Sequence, residues 1–131
     1  MTTTFAVLVF FALITKHFIC DFALQMHPYQ YRNKGTYGHP GGLLHAFICM
    51  VGTYLALASV TTFQIVLLPV IWYILIGEGI VHYHIDYFKM KIGKKFNLEP
   101  NNSERFWLLL GFDQYLHYLT YVVIVWILGS I

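Results

Sequence analysis

The sequence predicts an all-α membrane protein, a bundle of four transmembrane helices with a polar, metal-binding site in its cytoplasmic half. Three observations predict it. The chain is 58% hydrophobic and only 11% charged, whereas a soluble domain carries about 25% charged residues. Apolar stretches recur at about residues 4–24, 43–60, 63–88 and 105–128, each near the ~20 residues needed to cross the hydrocarbon as a helix. Inside these stretches lie Asp21, Glu78, Asp86 and Asp113, with His17, His45, His82 and His117. An acid at a helix centre costs about 2.5–3.5 kcal/mol in lipid, so something must offset it.

Taken in order, the elements form one domain over residues 1–131. Span one starts without the positive charge of a cleavable signal peptide, and no small-residue cleavage site follows it, so it reads as a retained helix. The connection to span two carries Pro28, Gly35, Gly38, Pro40, Gly41 and Gly42 and reads as turns. Only Thr61-Thr62 separates spans two and three, which predicts a tight antiparallel hairpin. Pro69 falls in the first third of span three, where neighbouring helices tolerate a kink. The third connection holds Lys89, Lys91, Lys94, Lys95, Glu99 and Glu104, and Ser103 is the expected N-cap of span four. Arg32 and Lys34 lie on the same side as the four lysines. The positive-inside rule then places both long connections in the cytoplasm and both termini outside, in an inner (plasma) membrane.

A net charge of +2 without a basic tail argues against nucleic acid. Cys20 and Cys49 match no zinc-finger spacing and read as small buried hydrophobes. Trp72, Trp107 and Trp126 read as interface anchors or packing residues.

The polar residues are spaced for a site. His17-x3-Asp21, Glu78-x3-His82-x3-Asp86 and Asp113-x3-His117 each put their members on one helical face, and His45 opens span two. All four spans therefore present these groups in the cytoplasmic half. Inward carboxylates and imidazoles are similar in kind to carboxylate-bridged dimetal bundles, although those use Glu-x-x-His. Four ionised acids would be balanced by two divalent cations. Structural zinc supplies about 10–16 kcal/mol on binding, against roughly 10 kcal/mol for four buried acids. The expected ligands are His17, Asp21, His45, His82, Asp86, Asp113 and His117, around one or two ions of zinc, manganese or iron. Haem would not explain four acids. A web of His–carboxylate hydrogen bonds, with no metal, is the plain alternative.

Glu78 is either a further ligand or a general base, and Lys89 and Lys34 are placed to hold an anionic group. Gln25 and Gln114 are expected to touch the ligands or a substrate. Lys16 would snorkel to the interface. His27 and His39 read as interface residues, and His84 points away from His82 and Asp86.

The segments His17 to Gln25, Asn33-Lys34, Leu44-His45, His82 to Lys89, and Phe112 to His117 resemble the small bacterial and phage membrane proteins of domain of unknown function 3307. The resemblance covers nearly the whole chain and implies that these positions form one site. It implies no reaction. His84 departs from the family pattern, in which an aliphatic residue is commoner.

Three functions fit these residues. The first is a metal-dependent hydrolase acting on a phosphate, ester or amide at the cytoplasmic interface. The second is a metal-ion or proton transporter, against which stands the lack of polar groups in the outer halves of the spans. The third is a non-catalytic membrane protein that the metal only stabilises. Expected partners are the bilayer, an anionic lipid or phosphorylated substrate, and a second copy meeting through aromatic faces.

Overall fold

The computed structural model describes residues 2–61 and 69–130, and every regular element among them is helical. Helix α1 is Thr3–Phe18, followed without a break by a π-helical turn, Ile19–Ala23, and a 3-10 turn, Leu24–Met26. A short helix α2 (Pro28–Tyr31) lies in the first connection. Three long helices follow among the described residues: α3 (Pro40–Val60), α4 (Pro69–Lys95) and α5 (Glu104–Gly129).

Local chemistry sets the helix ends. Thr2 caps α1 by accepting from the Phe5 N–H, and Ser103 caps α5 by accepting from the Arg105 N–H, as its sequence position predicts. Pro40 occupies the first turn of α3, where its missing N–H costs nothing. Helix α4 stops at a Schellman turn. Asn97 takes φ 51°, and the Leu98 N–H reaches back to the Gly93 carbonyl at 2.9 Å.

Two predicted boundaries shift. Helix α4 continues through Lys89, Lys91, Lys94 and Lys95, so these lysines are helical rather than part of a connection. Lysine is a good helix former, and the run lacks the hydrophobicity that delimits a span by sequence. Span one ends in a π-turn and a 3-10 turn, which no periodicity signals. Pro69 is the first described residue of α4, and the expected kink there borders residues outside the description. Of the expected hairpin at Thr61-Thr62, Thr61 is the C-cap of α3, and residues 62–68 lie outside the described residues.

The four long helices close into a ring: α1 packs on α3 and α5, and α4 packs on α3 and α5. Glycine permits the closest approaches. A Cβ on Gly52 of α3 would lie 2.7 Å from Cys20 Sγ and 3.0 Å from Lys16 Cγ. One on Gly41 would collide with the Tyr29 carbonyl, so Gly41 lets the first connection seat on α3.

The interior has two storeys. One is apolar and includes Val9, Leu13, Leu57, Ile71, Tyr121 and Ile124. The other holds the acids and histidines. Phe11, Phe18, Trp72, Tyr73, Leu108 and Trp126 point outward, each more than half exposed, a surface suited to hydrocarbon rather than water. Three helical stretches are long and apolar enough to cross a membrane: Thr3–Met26, Pro40–Val60 and Glu104–Gly129.

Candidate metal centre

Each helix contributes to the polar storey. Helix α1 and its π-turn supply His17 and Asp21, α3 supplies His45, α4 supplies Glu78, His82 and Asp86, and α5 supplies Asp113 and His117. All eight are between 1% and 4% exposed. These residues lie late in α1, midway along α4, early in α3 and in the first half of α5, and the contacts Gly42–Tyr83, His45–His82 and Met50–Gly79 run α3 and α4 in opposite directions.

The tightest group is Asp21, His45, His82 and a residue that the sequence reading set aside, Cys49. Asp21 Oδ1 lies 3.2 Å from His45 Nε2 and 3.2 Å from His82 Nε2. The two imidazole Nε2 atoms are 3.1 Å apart. Cys49 Sγ is 3.4 Å from Asp21 Oδ1 and 3.5 Å from His45 Nε2. A zinc tetrahedron has edges of about 3.3 Å between nitrogen or oxygen ligands and about 3.5 Å to a thiolate. Five of the six edges therefore have the right length, and the sixth is within 4.8 Å. Cys49 is buried, as expected, and its position also makes it a candidate ligand. Its signal was available, because His45-x3-Cys49 repeats the four-residue spacing of the other pairs.

Beside this group stand two looser ones, His17 with Asp21, His82 and His117, and Asp86 with Asp113 and His117. His117 Nε2 is 3.9 Å from Asp21 Oδ2, 3.9 Å from Asp86 Oδ1 and 3.7 Å from Asp113 Oδ1. It has no hydrogen-bond partner among the described residues.

Lysines change the charge balance. Lys16 Nζ lies 2.8 Å from Glu78 Oε1, Lys34 Nζ 2.6 Å from Asp86 Oδ2, and Lys89 Nζ 3.3 Å from Asp113 Oδ2. Three of the four acids are thereby neutralised, which removes the reason to expect two divalent ions. Lys16 does not snorkel. It turns inward and is buried, because Glu78 on α4 and the Tyr121 ring receive it. Burial opposes charge on Lys34, but the carboxylates of Asp86 and Asp21 outweigh it and raise its pKa above the ordinary 10.5. It stays a cation at neutral pH.

The supporting residues also have defined places. Glu78 Oε1 is 3.6 Å from His82 Nδ1, the nitrogen facing away from the tetrahedral group. Glu78 thus stands behind a histidine without a hydrogen bond to it, since His82 Nδ1 has no partner among the described residues, and it belongs to none of the convergent ligand groups. Gln114 Oε1 lies 2.8 Å from His17 Nε2, and its amide donates to Asp113 Oδ2 at 2.9 Å. Gln25 Oε1 accepts from Lys34 at 2.7 Å, so Lys34 is committed to the protein and not free for an anionic ligand. Lys89 is partly exposed, at 23%. His27 and His39 cap α2 and α3, and His84 bonds Tyr37 and the Ile80 carbonyl. None of the three joins the cluster.

A family model described as protein of unknown function (DUF3307) matches residues 9–130. The chain belongs to the DUF3307 family. The matched segment includes every residue of the cluster, and the family carries no activity to transfer. No curated protein and no solved structure matches the chain.

Gln114 bonds His17 and Asp113, outside the tetrahedral group, so Gln114→Leu is expected to leave zinc affinity unchanged in competition with a chromophoric chelator. A loss of about 10–100-fold, the usual effect of removing a group that orients a ligand, would make His17 or Asp113 a ligand instead.

Proposed function

We propose that this DUF3307 member is a four-span membrane protein that binds one divalent ion, zinc by preference, and uses it to hydrolyse a phosphate, ester or amide at the cytoplasmic interface. The tetrahedral spacing of Asp21, His45, Cys49 and His82 carries this reading. Asp21 and a Cys49 thiolate bring two negative charges, which balance one divalent ion, and a thiolate with two imidazoles favours zinc over manganese. Four spans require α4 to cross with its ionisable groups, which the three lysine pairs and the ion would offset.

With Asp21, His45, Cys49 and His82 holding it, the ion would have to take up water as a further ligand, and it would acidify that water toward neutral pH. His117, whose Nε2 faces the carboxylates of Asp21, Asp86 and Asp113 without a hydrogen bond, would serve as the base for the water and would return the proton to the leaving atom as its bond to the acyl carbon or phosphorus breaks. The Asp113 carboxylate, 3.7 Å from that nitrogen, would stabilise the protonated ring by its charge, and Lys89 would meet the negative charge that develops. Asp113→Asn and His117→Ala are expected to keep the zinc and to lose at least about 100-fold in rate. The assay is product release from zinc-loaded protein in vesicles of mixed phospholipids, followed by mass spectrometry. Zinc-loaded wild type that releases nothing from ester, amide or phosphodiester probes would overturn the hydrolase.

A second reading, a metal that only stabilises the bundle, is favoured by the closed four-ligand set. Stoichiometric zinc, no hydrolysis and collapse on chelation would be its signature.

A further inference from the structure

The polar storey is closed towards the first connection. Lys34 sits over Asp86, held there by Gln25, and is only 6% exposed. The connection that carries Lys34 is seated on α3 through Gly41. Sideways the situation differs. A groove of about 400 Å³ runs between α4 and α5, walled by Val81, Ile85, Phe88, Leu109, Phe112 and Leu116. Lys89 and Asp113 also line it. Asp113 belongs to the convergent group with Asp86 and His117, so this groove reaches the edge of the polar cluster. A larger groove, about 720 Å³, lies between α1 and α3, but it meets none of the convergent ligand groups.

We infer that the centre takes its substrate sideways from the bilayer, as an acylated amphiphile with an anionic headgroup. Its chain lies in the α4/α5 groove and its headgroup meets Lys89. The volume suits a small-molecule site, and apart from His84, Lys89 and Asp113 the lining is hydrocarbon. Lys89 stands where the groove meets the polar cluster at Asp113. Lys91, Lys94 and Lys95 continue along α4 from Lys89 and add positive charge at that end, which attracts anionic lipid. Lys89 is already paired at 3.3 Å, with Asp113, and its partial exposure lets an incoming phosphate share the ammonium. This inference rests on the hydrolase reading for the word substrate, while the binding geometry stands apart from it.

The test uses the full chain in phosphatidylcholine vesicles that contain phosphatidylglycerol with a diazirine in one acyl chain. After photolysis, adducts should concentrate on α4 and α5 residues of the groove. Ile85→Trp and Leu116→Trp, which fill it from opposite walls, should each cut that labelling at least about fivefold at unchanged zinc content. Lys89→Gln should bring the ratio of phosphatidylglycerol to phosphatidylcholine labelling close to one, and free glycerol phosphate should not compete. Labelling spread evenly over the outward faces of all four helices, or indifferent to both tryptophans, would overturn the inference. Competition by free glycerol phosphate would overturn the lipid source. Because labelling requires no turnover, a failed hydrolysis assay leaves this result readable.

Discussion

Glu78→Leu is expected to destabilise the metal-free protein by about 3–5 kcal/mol, the usual cost of leaving one member of a buried ion pair alone. Lys16 and Glu78 are 5% and 3% exposed, and their contact of 2.8 Å ties α1 to α4 across the bundle. Removing the carboxylate strands an ammonium between Tyr121 and the apolar storey. The double variant Lys16→Met/Glu78→Leu replaces the pair with hydrocarbon of similar volume and should return to wild-type stability or exceed it. Unfolding in detergent, followed by circular dichroism without metal, separates this effect from any change in metal binding. Equal stability of the single and double variants would show that the pair contributes nothing.

Asp21→Asn is expected to reduce bound zinc from about one per chain to less than about a tenth of that. Asp21 belongs both to the tetrahedral group and to the looser group with His17, His82 and His117. Its Oδ1 closes the tetrahedral group with His45 and His82, and its Oδ2 faces His17 and His117. It is also the one acid of the four without a lysine pair, so its charge is available to an ion. Asp113→Asn, which removes a carboxylate already paired with Lys89, should retain the metal. Elemental analysis of the two purified variants decides between them. Equal zinc in both would place the ion elsewhere in the cluster.

The four-residue spacing made most of the centre legible. His17 and Asp21, His82 and Asp86, and Asp113 and His117 do face one another, at 3.3, 3.3 and 3.7 Å. Cys49 escaped because a lone cysteine in an apolar helix is usually a packing residue, and only its register with His45 spoke for more. The lysines escaped for a different reason. Snorkelling is the default for Lys16 near a span end, and its inward turn depends on Glu78 arriving from a helix 62 residues away. Local pattern contains no such information. Nor does it contain the π-turn at Ile19–Ala23, which sets the direction of Asp21. The charge count followed the same course, since four acids call for two divalent ions only until their lysine partners are known.

Zinc-edge X-ray absorption on protein purified in detergent tests the central claim most directly. The account predicts about one zinc per chain, with one sulfur at about 2.3 Å and nitrogen or oxygen ligands at about 2.0–2.1 Å. It also predicts loss of the sulfur signal in Cys49→Ser. A chain that neither retains nor takes up zinc, or zinc in a shell without sulfur, would contradict it.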